Sequence, residues 1–453
     1  MVGEGPNVEE GDSPMVLDDK VPPPGEASAA KRGHERPGAR GVMELVVERA
    51  NLLAALKRVE RNKGGAGTDG MTTRELRGFL GEHWPRLRQA LLEGSYQPQP
   101  VKRVSIPKPD GGVRELGIPT VVDRFIQQAL LQVLQRQIDP SFSRHSYGFR
   151  PRRSAHGAVR AAVDVVRKGR FVVVDVDLAK FFDRVNHDVL MSRVARHVQD
   201  KRVLRLIRRY LNSGVMVEGV LAERVEGTPQ GGPLSPLLAN ILLDEVDKEL
   251  ERRGHAFVRY ADDLNVYVRS EKAGQRVMKS LRKLFARLRL QVNEEKSAVA
   301  DVSARTFLGF TIVRGNGRLQ ARVSRKSVDR LKDKVRAATR PTRGRSLDDV
   351  IASLRRALPG WRAYFCAKGF VVKELMRELD GWIRRRVRAY ILRQWKRGTV
   401  MYGELLRRGV NGHYATLVAR SSRSYWANSA SSAMHLAFTT RFFDARGLPR
   451  LST

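Results

Sequence analysis

Two adjacent aspartates, Asp262 and Asp263, lie between the β-prone segments 257–260 and 264–268. In the second segment, aliphatic residues alternate with Asn and Tyr, which predicts a hairpin with both carboxylates at its tip. Adjacent carboxylates repel each other, and a divalent cation that takes oxygen ligands would offset the repulsion. Because Asp is also a common turn residue, an ordinary acidic turn explains this segment equally well.

A second acidic pair occurs in the Val-rich segment 171–178, which predicts a strand buried on both faces. Asp175 and Asp177 share one face of this strand because side chains alternate with a period of two. Burying two carboxylates costs free energy unless they are paired or bind a metal. This segment therefore indicates function more strongly than the acidic turn does.

Four further segments combine residue types suited to binding phosphates, nucleotides or bases. They are the glycine-rich loop 63–70, the predicted hairpin 101–119 with Lys108 and Arg114, the aromatic and basic loop 147–153 with Arg150, and the Gly/Pro cluster 227–236 with Gln230. Taken singly, each is also compatible with an ordinary connector, and for the hairpin that interpretation is favoured.

The charge of the chain favours a polyanionic partner. The net charge is +36 and the isoelectric point is about 11.1, which makes nucleic acid the default expectation. Residues 1–30 hold seven acids and one Lys, whereas residues 311–453 hold 32 Lys and Arg against 9 Asp and Glu. An anionic membrane surface is the competing partner, but no long basic amphipathic helix dominates the sequence and no apolar run is long enough to span a bilayer.

The single cysteine, Cys366, excludes intrachain disulfides and zinc sites built from several cysteines. It favours a reducing compartment, and the nine histidines show no metal-ligand spacing. The acidic, Pro- and Gly-rich segment 1–40 does not resemble a signal or transit peptide, and we expect it to be disordered.

Apolar periodicity predicts helices in the segments between these candidate sites and along the last third of the chain. The predicted helices are 42–60, 72–94, 120–138, 237–250, 273–289, 325–338, 347–358 and 372–396. Ser346 and Asp349 form a predicted capping box at the start of 347–358.

Four segments, in this order, resemble motifs of the reverse transcriptases encoded by group II introns, the maturase family. They are Val-Asp-Leu-Ala-Lys-Phe-Phe-Asp at 176–183, Thr-Pro-Gln-Gly-Gly-Pro-Leu-Ser-Pro-Leu-Leu-Ala-Asn at 228–240, Tyr-Ala-Asp-Asp at 260–263 and Phe-Leu-Gly-Phe at 307–310. A lone Tyr-x-Asp-Asp is a weak signal, whereas the ordered set is specific. The resemblance is dense across residues 60–310.

The resemblance implies an α+β right-hand polymerase, with fingers and a palm containing an antiparallel sheet, followed by an α-helical thumb or maturase domain. The implied divisions are a disordered tail at 1–40, fingers and palm at 41–310, thumb at 311–395 and a basic DNA-binding-like region at 396–453. The zinc-binding cysteines of the endonuclease module that many relatives append are missing, so we do not expect that module.

The resemblance also assigns roles to individual residues. Asp177, Asp262 and Asp263 would hold two Mg²⁺ ions, with Mn²⁺ as a possible substitute, whereas Asp175 and Asp183 are not assigned to metal. Contacts with the incoming deoxynucleotide are expected for Lys108, Arg114, Phe182 as a steric gate against ribose, Gln230, and Lys296 as proton donor to pyrophosphate. Contacts with nucleic acid are expected for Gly65, Gly67, Arg150, Arg384, Arg385 and Arg388.

The implied function is RNA-directed DNA synthesis that copies intron RNA, together with intron binding that assists splicing and mobility. The expected partners are intron RNA as template and ribozyme, a DNA primer or target, and deoxynucleotides, without a membrane, for a monomer or homodimer in the bacterial cytoplasm. Three alternatives stay open: a splicing cofactor with an idle polymerase site, a host-adapted reverse transcriptase of defence or repair, and an RNA polymerase with a similar palm.

Overall fold

The computed structural model describes residues 41–107, 112–217, 220–222, 226–228, 231–315, 318–340, 344–367, 369–370 and 372–452. Helices predominate in both halves of the described chain. In the first half they are α1 Val42–Val46, α2 Arg49–Asn62, α3 Leu76–Glu93, α4 Val121–Ile138, α5 Ala155–Arg167, α6 His187–Val194, α7 Lys201–Asn212, α8 Ser235–Arg252 and α9 Glu271–Arg287. In the second half they are α10 Arg325–Ala338, α11 Leu347–Phe365, α12 Lys373–Trp395, α13 Gly398–Arg407, α14 Gly412–Ala419, α15 Tyr425–Asn428, α16 Ser432–Ala437 and α17 Thr440–Ala445.

The strands form three sheets. They are β1 Val101–Pro107, β2 Val113–Ile118, β3 Val172–Val176, β4 Val215–Val217, β5 Val220–Ala222, β6 Ala256–Tyr260, β7 Asp263–Val268, β8 Ala298–Asp301, β9 Phe310–Gly315 and β10 Arg318–Val323. One sheet has the order β2-β1-β4-β5, a second is the hairpin β9-β10, and the third, called the central sheet below, has the order β6-β7-β3-β8. Every pairing in the central sheet is antiparallel, as expected.

Both faces of the central sheet are covered by hydrophobic cores. Val174 and Val266 belong to a first core built with the helices of the N-terminal half, and Val173 and Tyr267 belong to a second core that includes α5 and the C-terminal helices. A strand buried on both faces needs apolar residues at successive positions, which explains the Val-rich sequence of β3. It also explains why Asn265, on the polar face of the predicted alternation, is only 3% exposed.

The structure divides one predicted helix. The predicted helix 42–60 is two helices, because the Asn51 side chain donates a hydrogen bond to the carbonyl of Val46 at 2.8 Å and thereby caps the end of α1. The predicted helix 325–338 is confirmed as α10, and the strands β9 and β10 pair with each other before it.

Helix α11 begins with a well-formed cap. Ser346 and Asp349 form the predicted capping box of α11, which satisfies two backbone amides that the helix cannot pair internally. In the described part of the chain, none of the helices combines the length and apolar character required to cross a bilayer.

Candidate active site

Asp177 lies directly after the last residue of β3, at the end of the central sheet. Its amide donates to the Ser297 hydroxyl at 3.0 Å, and its carbonyl accepts from the amide of Asn293 at 2.8 Å. Because both bonds run through the backbone, the 293–297 loop holds the main chain of Asp177 while its half-buried side chain keeps its carboxylate oxygens for other contacts.

Asp262 and Asp263 lie at the tip of the β6-β7 hairpin, as predicted. Asp263 is the first residue of β7, and Ala261 turns the chain in the left-handed conformation with φ of 57°. The last pair between β3 and β7 is Val176 with Leu264. Asp177 and Asp263 are the next residues in the same register, and they therefore lie opposite each other. Opposite residues of antiparallel strands have Cα atoms about 4.5–5.5 Å apart, and the sheet therefore brings these two segments together.

The end of the sheet carries a surplus of negative charge. Crowding by protein atoms raises the pKa of Asp263 to about 7, and repulsion from Asp262, Asp175 and Asp177 adds to the shift, although the side chain still reaches solvent. Carboxylates that repel one another suit a divalent cation. In the described residues, however, no group of three or more His, Cys, Asp or Glu is arranged closely enough to hold a metal ion. Ligation by the three aspartates therefore stays a prediction.

Asp175 has a different environment, although it lies only two residues before Asp177. The Arg305 guanidinium approaches one carboxylate oxygen at 2.6 and 2.8 Å, and the amide nitrogen of Asn265 faces the other at 2.9 Å. Burial raises the pKa of Asp175, and Arg305 opposes that shift. Arg305 also donates to the carbonyl of Lys296 at 2.5 Å, so Asp175 and Arg305 connect β3 with the loop that carries Lys296.

Phe182, the expected steric gate, lies in a 3₁₀ turn formed by Phe181–Asp183 and is half-buried. The amide of Thr228 donates to the carbonyl of Phe182 at 2.7 Å. Gly227 adopts φ of 87°, and a Cβ there would lie within 2.9 Å of two backbone oxygens of this turn, so only glycine is accommodated. The start of the Gly/Pro cluster is therefore packed against the predicted gate.

The other residues expected to contact the deoxynucleotide are only partly described. Lys108 and Gln230 lie outside the described residues. Arg114 is placed by its backbone, which pairs with Ile106 in the β1-β2 hairpin. Lys296 is exposed in the loop that contacts Asp177, and its role stays a prediction.

The structure separates the two loop glycines that were expected to touch nucleic acid. Gly65 is exposed, and its carbonyl accepts a hydrogen bond from Arg124 at 2.6 Å. Gly67 is buried, and a Cβ there would lie 2.6 Å from the Cα of Thr120. The burial of Gly67 therefore favours a structural role over the expected nucleic-acid contact, because this glycine allows two backbone segments to approach each other.

The environment of Arg150 likewise favours a structural role over the expected nucleic-acid contact. Its side chain is 5% exposed and forms an ion pair with Asp139 at 2.8 Å. Its guanidinium also donates to the carbonyls of Ser143, Ser146 and Asp139. These contacts occupy the guanidinium inside the protein, where it braces the loop instead of facing a phosphate.

Three arginines of α12 were expected to contact nucleic acid, and the structure gives them different environments. Arg388 is buried and donates to the carbonyl of Phe438 at 2.9 and 3.1 Å, so its environment favours a structural role over the expected contact. Arg385 is half-buried with its guanidinium 4.1 Å from the ring centre of Trp426. Arg384 is half-buried, and its proposed contact is retained.

Sequence reasoning did not find the residues that hold the carboxylates in place. Ser297, Asn293 and Arg305 act through hydrogen bonds to residues more than 100 positions away. Their only sequence signal is proximity to Lys296, which the resemblance had already marked.

Two family descriptions match the chain in the order expected. "Reverse transcriptase (RNA-dependent DNA polymerase)" matches residues 106–312, and "Group II intron, maturase-specific domain" matches residues 328–409. The chain belongs to the group II intron-encoded reverse transcriptases. Its fold is accordingly the right-hand polymerase palm followed by a helical C-terminal region, and its activity class is RNA-directed DNA polymerase.

Three known proteins show what this reverse transcriptase is similar to. Protein YkfC of Escherichia coli K12 is 32% identical over 317 residues, which cover 60% of this chain and 83% of YkfC. The group II intron-encoded protein LtrA of Lactococcus lactis subsp. cremoris is 29% identical over 359 residues, and the matched part spans 60% of LtrA. A chain of a solved assembly described as "Partial Cas6-RT-Cas1--Cas2 complex" is 24% identical, with a TM-score of 0.36, over 55% of this chain and 42% of that chain.

Proposed function

We propose that this reverse transcriptase copies intron RNA into DNA at the end of the central sheet and uses its basic C-terminal region to hold the intron for splicing and mobility. The observation that carries the proposal is the convergence of the β3 end and the β6-β7 tip, which continue one strand register. Residues 85 positions apart thereby present carboxylates to one place. We propose that the protein acts in the bacterial cytoplasm.

Asp177, Asp262 and Asp263 would hold two Mg²⁺ ions. The raised pKa of Asp263 supports this assignment, because burial and then repulsion from Asp262, Asp175 and Asp177 disfavour its ionised form, and a bound cation would favour that form again. When bound, the ions would activate the primer hydroxyl and neutralise the leaving pyrophosphate. The protein itself contributes the rigid sheet and the 293–297 loop, which hold the backbone of Asp177.

The residues around the carboxylates would select and position the nucleotide. Phe182 would exclude a ribose 2′-hydroxyl, and Lys296 would protonate pyrophosphate from a loop whose carbonyl is held by Arg305. Lys108, Arg114 and Gln230 would bind the triphosphate and the templating pair. Gly65 would contact the template from its exposed loop.

The C-terminal region would bind the intron mainly through its charge. Residues 311–453 carry 32 Lys and Arg against 9 Asp and Glu, and cationic surfaces bind nucleic acid by releasing counterions. Because this surface is separate in sequence from the carboxylates, splicing assistance should survive loss of polymerisation. A polymerase-inactive variant that still promotes splicing of its intron would demonstrate that separation.

The primary test is primer extension by the purified protein on poly(rA)/oligo(dT) with deoxythymidine triphosphate and Mg²⁺. Wild type should extend the primer, and Asp262→Asn should lose extension while keeping the wild-type urea midpoint. The exposed variant Glu82→Gln, on α3, serves as a matched charge control and should extend normally. An inactive wild type across a range of salt and Mn²⁺ concentrations would overturn the proposal.

The steric gate has its own test. Phe182→Ala should admit ribonucleotides and reduce discrimination against them by about 10–100-fold, since pocket contacts with a single group are worth about that much. The measurement is the ratio of kcat/KM for deoxythymidine and uridine triphosphates. Unchanged sugar selection in a variant that extends normally with deoxynucleotides would remove Phe182 from this role.

A further inference from the structure

A buried ion pair lies directly behind the tip of the β6-β7 hairpin. Arg259, on β6, is 1% exposed. Two of its guanidinium nitrogens, Nε and Nη2, donate to the two carboxylate oxygens of Asp247 at 2.8 and 2.5 Å, and Asp247, on α8, is fully buried. The remaining guanidinium nitrogen donates to the side-chain oxygen of Asn240 at 3.0 Å and to the carbonyl of Ala261 at 2.8 Å. The arginine therefore connects α8 to the residue that immediately precedes Asp262.

The same turn is held from its other side by Gly148. The Asn240 amide donates to the carbonyl of Gly148 at 2.9 Å, and a Cβ on Gly148 would lie 2.2 Å from the amide nitrogen of Ala261. The segment that contains Gly148 also pairs with Arg259, whose amide donates to the carbonyl of His145 at 2.9 Å. Ala261 is thus enclosed between a glycine backbone and a buried guanidinium.

The conformation of Ala261 makes these contacts informative. A non-glycine residue with φ of 57° is disfavoured and persists only where its surroundings impose it. The turn conformation determines the direction in which Asp262 and Asp263 leave the hairpin. A bond to the Ala261 carbonyl is therefore a means of setting the orientation of both carboxylates.

We propose that Arg259, fixed by Asp247 and Asn240, is a positioning residue that holds Ala261 in its left-handed conformation and so orients Asp262 and Asp263 for cation binding and nucleotide transfer. The inference rests on the proposed function. It adds that α8, which begins at the Gly/Pro cluster, is mechanically coupled to the carboxylates. Arg259 itself is buried and would act on the carboxylates only through Ala261.

The competing explanation is that the pair only stabilises the fold. These explanations can be separated, because replacing a buried ion pair by apolar residues of similar volume is often neutral or stabilising, whereas removing one partner leaves a buried charge. The double variant Arg259→Met/Asp247→Leu should therefore restore the urea midpoint that either single variant lowers. It cannot restore the hydrogen bond to the Ala261 carbonyl.

The experiment measures three quantities for wild type, the two single variants and the double variant: the urea midpoint, Mn²⁺ binding by calorimetry, and kcat and KM for primer extension. If Arg259 positions the carboxylates, the double variant regains stability but binds Mn²⁺ several-fold more weakly, and kcat falls by about 10²-fold, as expected for a reacting geometry displaced by about 1 Å. KM for the nucleotide should change little. Recovery of both Mn²⁺ binding and kcat together with stability would overturn the proposal.

Two further variants keep the test decisive. Arg193→Met/Glu245→Leu removes another ion pair of α8, with contacts at 2.6 and 3.2 Å, and should leave Mn²⁺ binding and kcat unchanged.

Should the Arg259 double variant not fold, Arg259→Lys replaces it, since lysine keeps the charge but cannot bridge Asp247, Asn240 and Ala261 at once. A folded lysine variant with normal Mn²⁺ binding would also overturn the proposal. An inactive wild type would refute the proposed function, whereas the Mn²⁺ comparison would still decide the role of Arg259.

Discussion

At the end of the central sheet, hydrogen bonds hold the backbones of Asp177 and Asp263, whereas their carboxylates repel each other. Along α12 the arrangement is the reverse, because Arg385 and Arg388 have their charged groups packed against protein, on an aromatic ring and on a buried carbonyl. The first region concentrates negative charge, and it is where we propose that cations bind. The second uses part of its charge to build its own structure.

This difference shows that a count of charged residues does not identify which individual residues form a binding surface. The excess of Lys and Arg in residues 311–453 predicts a polyanionic partner, yet Arg388 is buried among protein acceptors. Crowded carboxylates are more diagnostic, because nothing in the ordinary requirements of folding favours placing like charges together. Four predictions test this contrast, beginning with the largest effect.

Asp177→Asn should lower primer extension by about 10³-fold or more, as removal of a charge-stabilising group at a reacting centre does. The urea midpoint should stay unchanged, because asparagine retains the backbone bonds to Ser297 and Asn293. Asp175→Asn should show the opposite result, with a smaller loss of primer extension and a larger loss of stability. The free energy of unfolding should fall by about 1–3 kcal/mol because Arg305 is left without its buried counter-charge. Equal activity loss in both variants without destabilisation would abolish the distinction between these two acids.

Arg388→Ala should lower the free energy of unfolding by about 1–3 kcal/mol, since it leaves the buried carbonyl of Phe438 without its donor. Under conditions where the variant is folded, its affinity for intron RNA should match wild type. Arg384→Ala should behave differently, with weaker RNA binding and a salt dependence reduced by about one unit of slope. Filter binding across a salt series measures both, and a reduced slope for Arg388→Ala would contradict its structural assignment.

The pH dependence of stability provides a third test. The folded-state pKa of Asp263 is raised to about 7, so the folded protein retains a proton that the unfolded chain releases near pH 4. Stability should therefore fall as pH rises from about 4 to 7 in metal-free buffer, and Asp263→Asn should flatten this decline. Urea midpoints at several pH values measure it, and an unchanged slope in the variant would show that Asp263 is not crowded.

The smallest effect is expected at the stacked arginine. Arg385→Ala should lower stability by about 0.5–2 kcal/mol, the range of a partly desolvated cation–π contact such as the one with Trp426. Arg385→Lys should retain part of that energy because lysine keeps the cation but not the planar stacking. A neutral alanine variant with strongly reduced RNA binding would move Arg385 from the structural group to the binding group.

Much of the fold could be predicted because its elements are locally encoded. The strand β3, the β6-β7 hairpin and helix α10 follow from periodicity alone, and Ser346 with Asp349 marks the start of α11. The break between α1 and α2 was missed because it depends on the Asn51 side chain, and the β9-β10 hairpin was missed because no element was predicted for residues 311–324.

The sequence by itself determined which carboxylates could do chemistry, because the order of the motifs and the residue types can be read directly from it. These carboxylates are Asp177, which follows a buried strand, and Asp262 with Asp263, which lie at a turn. Only the tertiary structure decided which residues already have their interactions inside the protein. Asp175 is paired with Arg305, Gly67 is buried against Thr120, and Arg259 reaches behind the hairpin tip to Ala261. These assignments depend on contacts between residues distant in the chain or on hydrogen bonds to backbone carbonyls, neither of which leaves a local pattern in the sequence.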